Sequence, residues 1–400
     1  MLSFEEARRR VLADVTPLGS ERVALRGALG RVLAQKVRAR APFPLFSASA
    51  MDGYAVASGD FRGAGPFTLQ LSGESRMGGT APKLVPGTTC RIFTGAELPD
   101  GADTVVMQED VVRDGDRITF ATAPPPHANI RRQGEDLAAG DVAIAEGTRI
   151  SAFHLSLAAS LDYAELVVAA RPNVTIVSTG DELRAHGEPA RPGSIPESNA
   201  IGLTALAEQA GAVVRVAPLV GDDREATARA VADGVRRSDL LVTVGGASVG
   251  DHDVVRPALE SAGVSIEFWK VAIKPGKPLA LGRAGAAHVL SLPGNPASSL
   301  VTFSLFGLPL LRALQGDQRP LPVTIKLPLA TAISRKPGRL EFMRAKLAYE
   351  DGRAVAVPLV NQASGAVTSM AWAEALAMIP ADVATMNKGE LVEVLRLADV

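Results

Sequence analysis

Cysteine is almost missing from this sequence, which has one, Cys90, in 400 residues. A single cysteine cannot form an intrachain disulfide, and it cannot supply the paired thiolates of a zinc site or a CxxC redox motif. A signal-peptide pattern is missing as well, because charged residues interrupt Leu2–Leu12, and this segment predicts an amphipathic helix instead. We therefore expect a protein of the reducing cytoplasm.

Charge of one sign is not in excess either. The 42 basic and 43 acidic residues nearly cancel, which excludes the broad basic field that favours nucleic acid or an anionic membrane. The longest nearly apolar run, Val301–Leu311, is too short to span a bilayer, and it predicts a buried helix. We expect no nucleic-acid partner and no membrane partner, and any anion site must be local.

Histidine and aromatic residues are sparse. The five histidines form no HxxxH or HExxH pattern, which disfavours a zinc site. Aromatic residues make up 4% of the chain, whereas 47% is hydrophobic, so the cores must be largely aliphatic. A chain of this length predicts roughly two to four domains.

Three kinds of pattern succeed one another along the chain. Helical patterns at Phe4–Ala13 and Ala152–Leu161 flank a Gly- and Pro-rich stretch, Ala41–Gly140, whose short β-type runs predict a small inserted β module. Over Pro172–Leu314, apolar strands alternate with helices, which predicts a parallel sheet covered on both faces. After Pro320, short strands return and predict a small β-barrel or sandwich.

Local signals mark the element ends within the predicted α/β domain. Leu240–Val244 and Ile266–Ile273 are predicted strands, and Ser198 and Asp222 are suitable N-caps for two of the helices. Ligands of such domains bind outside the carboxyl ends of the parallel strands. We therefore expect the functional site in the loops that follow these strands.

Two glycine turns follow apolar strands in this domain. They are Gly245–Gly250 and Leu292–Pro296, and they bracket a lysine-bearing loop, Lys274–Pro278. Backbone N–H groups at helix starts favour negative charge, so this layout predicts a site for a large phosphorylated anion. The first turn is neither a Walker A sequence nor a GxGxxG fingerprint, which disfavours a nucleoside triphosphate or NAD.

The segment Gly246–Gly250 also matches GxSxG, the nucleophile elbow of hydrolases. A triad needs an acid and then a histidine downstream, and the only later histidine, His288, falls at the start of the next predicted strand. We favour Ser248 as an anion-binding hydroxyl over Ser248 as a nucleophile. For this motif alone, a tight turn without any ligand is the commoner explanation.

Lysines surround these turns. Lys274 and Lys277 lie beside prolines on a stiffened loop, and Lys270 precedes them within the predicted strand. Ammonium groups at the carboxyl edge of a parallel sheet are well placed to clamp an oxyanion. This loop therefore favours a functional role over three ordinary surface lysines.

Acidic residues follow several predicted strands. They occur at Asp181–Glu182, at Asp222–Asp223 and at Asp251 and Asp253. Several carboxylates near a phosphate-binding edge indicate a hard cation such as Mg²⁺. Asp222 alone would be a helix cap and Glu182 alone a surface residue, but their convergence on one edge favours function.

A set of short motifs, taken in order, spans nearly the whole chain. They are Ser49–Val56, Phe93–Ala96, Gly134–Asp136, Ser178–Leu183, Gly245–Asp253, Lys274–Pro278 and Leu292–Pro296. Each motif is weak alone, but the ordered set resembles the molybdopterin molybdenumtransferase family. That family comprises the molybdenum insertases of bacteria and plants and the corresponding domain of gephyrin.

The resemblance implies a four-part α/β plus β subunit. Its parts would be a helical dimerisation segment at 1–45 and 140–168, an inserted β-rich domain at 46–139, a molybdopterin-binding α/β domain at 169–317 and a carboxyl-terminal β-barrel at 318–400. It also implies a homodimer in which the β module of one subunit completes the active site of the other. The implied reaction takes adenylated molybdopterin and molybdate, inserts molybdenum at the dithiolene and releases AMP, with Mg²⁺ as cofactor.

The resemblance further implies roles for individual residues. The catalytic set would be Asp52, Thr94, Asp136, Glu182, Asp222 and Asp253, of which the last three would support Mg²⁺. The set that binds the pterin, its phosphate and molybdate would be Gly245, Gly246, Ser248, Gly250, Lys270, Lys274, Lys277, Pro293, Gly294, Asn295, Ser298, Arg344 and Ser364. Asp52 would handle a proton or position a ligand, and Arg344 and Ser364 would face molybdate together with the lysines.

Other functions remain open from the sequence. A molybdopterin adenylyltransferase shares the α/β domain, although that activity needs none of the other parts. A scaffold without catalysis could keep the same fold, as gephyrin does at synapses, and a hydrolase would act through Ser248. The expected protein partners are molybdopterin adenylyltransferase and molybdoenzymes or their chaperones.

Overall fold

The computed structural model describes residues 1–245 and 254–399. The chain divides into two compact units. The first unit comprises Met1–Ala34, Gly147–Ser151 and Val167–Val400, and the second comprises Gln35–Glu146 and Ala152–Leu166. The fold is mixed α/β with several separate sheets, which agrees with the predicted fold class at that level.

The α-helices are short. They are α1 (Phe4–Leu12), α2 (Ala152–Ser160), α3 (Asn199–Gln209), α4 (Arg224–Arg237), α5 (Val255–Ser261), α6 (Pro296–Thr302), α7 (Leu308–Leu314) and α8 (Val367–Ala371). A π-helical segment, Phe303–Gly307, joins α6 to α7. Turns of 3₁₀ helix occupy Leu25–Ala28, Ser58–Asp60, Gln108–Asp110 and Leu397–Asp399.

The strands of the amino-terminal half belong mostly to the second unit. They are β1 (Ser20–Ala24), β2 (Val37–Arg38), β3 (Ala48–Ser49), β4 (Gly53–Val56), β5 (Phe67–Ser75), β6 (Thr88–Ile92), β7 (Thr104–Met107), β8 (Val111–Asp114), β9 (Arg117–Phe120), β10 (Ile130–Arg131), β11 (Val142–Ile144) and β12 (Glu165–Ala169).

The strands that follow all belong to the first unit. They are β13 (Asn173–Ser178), β14 (Leu183–Arg184), β15 (Ile195–Pro196), β16 (Val213–Val216), β17 (Leu240–Val244), β18 (Ser265–Phe268), β19 (Ile273–Lys274), β20 (Ala280–Ala284), β21 (Ala287–Leu292), β22 (Thr324–Pro328), β23 (Ile333–Ser334), β24 (Leu340–Glu350), β25 (Arg353–Pro358), β26 (Ala375–Ile379), β27 (Thr385–Met386) and β28 (Leu391–Arg396).

A six-stranded sheet in the order β7-β4-β6-β5-β9-β8 forms the centre of the second unit. Side chains alternate across β4, so that Ala55 joins the core on one face while Tyr54 and Val56 join the core on the other. Phe61 and Phe120 meet edge to face in the latter core, with ring centroids 5.2 Å apart. The short ladder between β3 and β10 connects the turn before β4 to the turn after β10.

A second six-stranded sheet, in the order β16-β13-β17-β21-β20-β18, lies in the first unit. Strands β16, β13, β17 and β21 are mutually parallel, whereas β20 runs antiparallel to its neighbours. All of β17 is buried, because α3 and α6 cover one face of the sheet and α4 and α5 cover the other. The parallel strands place the residues that follow β13, β17 and β21 at one edge.

The core helix of this unit runs over Pro296–Leu314, through α6, the π segment and α7. It is long and apolar enough to cross a membrane, but 83% of its apolar stretch is buried inside the fold. Gly307 is needed within it, because a Cβ at this position would lie 2.3 Å from the ring of Phe303. The buried helix predicted for Val301–Leu311 is therefore confirmed.

A third sheet, in the order β19-β24-β26-β28-β22 with β25 paired to β24, occupies the carboxyl-terminal part of the first unit. Its strand β19 pairs in parallel with β24. The prediction of one strand over Ile266–Ile273 is therefore wrong. The chain leaves the α/β sheet after Phe268, because the carbonyl of Lys270 accepts the N–H of Leu2 at 3.1 Å, and it then joins a different sheet.

Of the two predicted N-caps, Ser198 holds its predicted position, whereas the cap of α4 lies one residue after Asp222. Asp223, rather than Asp222, caps α4, and its Oδ1 accepts a backbone N–H of the first turn at 2.6 Å. Ser198 holds the N-cap position of α3 without a capping hydrogen bond, and Glu197 Oε1 accepts the N–H of Ala200 at 2.8 Å instead. Asp222 is thereby released from the structural role that its position suggests.

Candidate active site

Glycines bring the ends of three neighbouring parallel strands close together. Gly245, directly after β17, has φ +96°, and a Cβ there would lie 2.4 Å from the carbonyl oxygen of Thr179, which follows β13. A Cβ on Gly294, after β21, would lie 3.4 Å from the Cα of Gly245. Backbone packed this closely requires glycine at position 245, and it lets an anion come near the backbone of the strand ends.

The rest of the first glycine turn lies outside the described residues. This applies to the predicted ligands Gly246, Ser248 and Gly250 and to Asp253. The histidine of the hydrolase alternative is described, however, and it lies at the wrong place. His288 is buried and pairs in register with Leu240, at the opposite edge of the sheet from Gly245, and burial lowers its pKa to about 4. This position counts against a triad built on Ser248.

Two acidic turns meet at the same edge. A Cβ on Gly180 would lie 2.5 Å from Glu182 Oε2, so the Glu182 carboxylate folds back over the glycine. Asp181 Oδ1 accepts the N–H of Asp222 at 3.0 Å, and Gly221 leaves room for it, because a Cβ there would lie 2.6 Å from that oxygen. The structure thus holds the turns after β13 and β16 together, with Glu182 and Asp222 exposed.

The exposed carboxylates have the donor chemistry that Mg²⁺ prefers. Asp222 is not used as a helix cap, so its oxygens are not committed to α4. Across residues 1–245 and 254–399, no three histidine, cysteine or acidic side chains are grouped as a metal site. Asp253, the third predicted ligand, lies outside those ranges, and the assignment of Mg²⁺ to Glu182, Asp222 and Asp253 stays a prediction.

The second glycine turn, Pro293–Asn295, leads from β21 into the core helix. Asn295 is the N-cap residue, but its side chain makes no capping bond. Its Nδ2 donates instead to Ser364 Oγ at 3.0 Å, in the loop between β25 and α8. Ser298 is buried in the first turn of the helix. The structure therefore brings two predicted ligands, Asn295 and Ser364, into direct contact.

The lysine loop joins the two six-stranded sheets of the first unit. Lys274 lies in β19, and its Nζ is 2.9 Å from Oε1 of Glu341, whose carboxylate is buried and also meets Arg335 at 3.3 Å. Lys277 is exposed, and Lys270 is half-buried with its carbonyl in the bond to the amino terminus. Sequence reasoning missed Glu341, because nothing in a strand pattern marks a buried acid.

Arg344 has a different environment from the one predicted. Its guanidinium is fully buried in β24, where it donates to Ser369 Oγ at 3.1 Å and to the carbonyl oxygens of Ala363 and Asn361 at 2.9 and 3.2 Å. Burial lowers the pKa of this guanidinium. In this arrangement Arg344 orders the loop that carries Ser364.

The second unit carries the other predicted carboxylates. Asp52 Oδ1 accepts both the N–H and the hydroxyl of Thr94, each at 2.8 Å. These bonds lower the pKa of Asp52, the backbone bond being the larger cause. Gly53 is required beside it, because a Cβ at this position would lie 2.0 Å from the carbonyl oxygen of Val106. Asp52 is therefore held as an ionised carboxylate.

Asp136 lies in the turn after β10. Its Oδ2 is 2.6 Å from Nη2 of Arg131, which also donates from Nε to Glu135 at 2.8 Å. Strand β3 connects the turns that carry Asp52, Thr94 and Asp136. It pairs with β10, which precedes the turn of Asp136, and its residue Ser49 exchanges backbone hydrogen bonds with the turn of Thr94. The structure thus gathers these residues around β3 within the second unit.

Models of three protein families match consecutive regions of the chain. They are the MoeA N-terminal region (domain I and II) over residues 2–161, the probable molybdopterin binding domain over residues 175–313 and the MoeA C-terminal region (domain IV) over residues 326–397. Together with the two-unit fold and the glycine-lined sheet edge, these matches define a multidomain protein of the MoeA type.

Relatives of known identity extend over nearly the same length. Molybdopterin molybdenumtransferase of Haemophilus influenzae is 37% identical over 348 residues, which cover 86% of this chain and 85% of that protein. Molybdopterin molybdenumtransferase 2 of Mycobacterium tuberculosis is 36% identical over 404 residues, which cover 98% and 99%. The molybdopterin biosynthesis MoeA protein of Pyrococcus horikoshii has a crystal structure that matches with a TM-score of 0.86 at 29% identity, over 99% and 100% of the two chains. The chain belongs to the molybdopterin molybdenumtransferase family.

Proposed function

We propose that the chain inserts molybdenum into molybdopterin in the biosynthesis of molybdenum cofactor. In this reaction it takes adenylated molybdopterin and molybdate, transfers molybdenum to the dithiolene and releases AMP. Membership of the family supports the class of reaction. The observation that carries the proposal is the edge at Gly180, Gly245 and Gly294, which suits a large phosphorylated anion and is bordered by exposed carboxylates.

Cationic side chains balance the charge of these substrates. Molybdate and the phosphoanhydride are both anions, and fixed positive groups stabilise oxygen charge that moves between them. Lys277 is exposed and can take this role, whereas Lys274 forms an ion pair with Glu341. Ser364 presents a hydroxyl beside Asn295, and Arg344 keeps the Ser364 loop in place.

Asp52 acts as a charged group in this proposal. Its lowered pKa means that the carboxylate is ionised near neutral pH, so it cannot serve there as a proton donor. Of the two roles that the family resemblance implies, ligand positioning remains, and proton handling is limited to accepting a proton. Thr94 contributes by holding that carboxylate in one orientation.

Glu182, Asp222 and Asp253 would hold Mg²⁺. When bound, this ion would offset the negative charge of the phosphoanhydride and orient its oxygens. The carboxylates described here fit that group, because Asp222 is spared from helix capping and Glu182 is exposed at the same edge.

We further propose a cytoplasmic homodimer that follows the four-part division, with the carboxyl-terminal sheet as its β-barrel. Helix α2 supports the dimer, because six of its nine residues are apolar while Phe153 in it is 87% exposed. In such a dimer, Asp52, Thr94 and Asp136 of one subunit would complete the sheet edge of the other.

The experiment is AMP release by the purified protein with adenylated molybdopterin, molybdate and Mg²⁺, together with the yield of active cofactor. We expect turnover by the wild type and its loss in Lys277→Ala and Asp222→Asn. The matched controls Lys346→Ala and Asp382→Asn change exposed residues elsewhere in the first unit and should keep turnover. Tight binding of molybdopterin without turnover would instead favour a scaffold, and formation of adenylated molybdopterin from ATP would favour an adenylyltransferase.

A further inference from the structure

A buried amide lies directly behind the second glycine turn. Asn199, the first residue of α3, is 7% exposed. Its Nδ2 donates to the carbonyl oxygen of Gly294 at 2.8 Å, and its Oδ1 is 3.0 Å from Ser299 Oγ. Both partners belong to the segment that leaves β21 and starts the core helix. One side chain therefore restrains this segment on either side of Asn295.

This restraint matters because the helix start lacks a capping hydrogen bond from its N-cap side chain. An N-cap side chain normally fixes a helix start by accepting an N–H of the first turn. Asn295 makes no such bond, and its Nδ2 donates to Ser364 Oγ. Asn199 supplies the missing restraint from a neighbouring helix.

The hydrogen bond from Asn199 to the carbonyl of Gly294 also sets the direction of the neighbouring N–H, that of Asn295. The carbonyl of Gly294 and the N–H of Asn295 belong to one planar group, in which they point in opposite directions when the bond is trans. The Gly294–Asn295 bond is not among the cis bonds. By drawing the carbonyl toward α3, Asn199 turns the N–H of Asn295 away from α3, and this N–H has no acceptor among the residues that the structure describes.

We propose that Asn199 is a positioning residue for the substrate. It aims the N–H of Asn295 as a donor for an anionic oxygen of adenylated molybdopterin, in the manner of a phosphate-binding helix start. The inference rests on the proposed function, because the occupant of the edge is taken from it. The inference goes beyond the proposed function because it assigns a role to Asn199, which lies in α3 and would act through the N–H of Asn295 without contacting the substrate.

The test is Asn199→Asp, which keeps the size of the side chain and its acceptor for Ser299. The new carboxylate oxygen would face the carbonyl of Gly294 and repel it, so the peptide plane should turn. We expect KM and Kd for adenylated molybdopterin to rise about tenfold, the effect of losing one hydrogen bond to a charged group, while kcat stays within a factor of about two.

Gln315→Glu is the matched control. Gln315 is also a buried amide, and its Nε2 donates to the carbonyls of Ala210 and Leu311 at 2.8 and 2.9 Å, at the far end of the same core helix. It should lower the melting temperature as Asn199→Asp does, because both put a carboxylate against carbonyl oxygens, but leave KM and Kd unchanged. An equal KM and Kd in Asn199→Asp and the wild type overturns the inference, as does an equal rise in Gln315→Glu.

Ser299→Ala tests the role of Asn199 in a second way if Asn199→Asp does not fold. It removes the hydroxyl that holds the Asn199 amide, so KM and Kd should rise about threefold, and unchanged values count against the inference. Absence of AMP release from the wild type would defeat the proposed function, but the Kd comparison would still decide the role of Asn199.

Discussion

A single carboxylate oxygen of Asp52 accepts both the backbone N–H and the hydroxyl of Thr94, each at 2.8 Å. The pKa of Asp52 in the folded chain is therefore lower than its ordinary value. A lowered pKa adds stability that is complete above the unfolded pKa and is lost as the pH falls through the folded pKa. The charge at this turn consequently persists across the neutral range and disappears only in acid.

Thr94→Val should raise the pKa of Asp52 part of the way to its ordinary value. The valine removes the hydroxyl bond but keeps the backbone N–H, which is the larger cause of the shift. Titration of the Asp52 carboxyl by NMR measures this change, and the acid limb of the activity profile should move to higher pH with it. Thr119→Val, on β9, is the control and should leave both unchanged. A pKa that does not move in Thr94→Val would contradict the assignment.

Gly245→Ala should destabilise the chain more than Gly263→Ala. Both glycines have positive φ, at +96° and +77°, so each alanine costs roughly 1–2 kcal/mol of backbone strain. Only at Gly245 does the new Cβ meet backbone, 2.4 Å from the oxygen of Thr179, which adds about 1–3 kcal/mol. Urea unfolding of the two variants compares the costs, and equal midpoints would show that the strand ends can separate without loss.

Sequence periodicity was sufficient to predict the strands and helices of the α/β domain that are fixed locally. It was sufficient for β17, whose five residues are all apolar or buried, and for the core helix. It failed at Ile266–Ile273, because the two ends of that apolar run belong to different sheets and the amino terminus binds between them. Such partners are far away in the chain, and no local pattern carries them.

In the candidate site, too, sequence predicted the features that are set locally and missed those that depend on distant partners. The glycine turns and acidic turns could be placed at one edge, because parallel strands put their carboxyl ends together. Sequence could not decide which of Asp222 and Asp223 caps α4, since both are good caps in adjacent positions. It also could not show that Arg344 is buried, that Asn199 contacts Gly294, or that Glu341 contacts Lys274. These contacts depend on packing between elements that are distant in the sequence.

Lys274→Met should destabilise the chain, whereas Lys277→Met should not. Loss of Lys274 leaves the buried Glu341 with Arg335 at 3.3 Å as its remaining salt-bridge partner in the described chain, at a cost of about 1–3 kcal/mol. Lys277 is exposed, so its loss should change the free energy of unfolding by less than about 0.5 kcal/mol. Adding Glu341→Gln to Lys274→Met should recover part of the loss in urea unfolding. Purely additive effects would mean that the pair contributes nothing.

Phe153→Glu should shift the proposed dimer toward monomer. The phenylalanine is 87% exposed on the apolar helix α2, and a buried charge at an interface opposes association. Val112→Glu, at a 69% exposed position on β8, is the matched control and should stay dimeric. Sedimentation velocity at several concentrations measures both. A monomeric wild type would remove the dimer from the proposal, and a dimeric Phe153→Glu would place its interface elsewhere.

Adjacent aspartates at the start of α4 should separate stability from activity. Asp223→Ala removes the N-cap that accepts a backbone N–H at 2.6 Å and should cost about 1 kcal/mol of stability, with turnover per folded molecule unchanged. Asp222→Ala leaves that cap in place and keeps its own N–H on Asp181, so the melting temperature should hold while AMP release is lost. The two variants differ by one position and carry the same chemical change. If Asp222→Ala instead lowers the melting temperature and keeps turnover, the carboxylate of Asp222 is structural and the Mg²⁺ assignment loses one of its ligands.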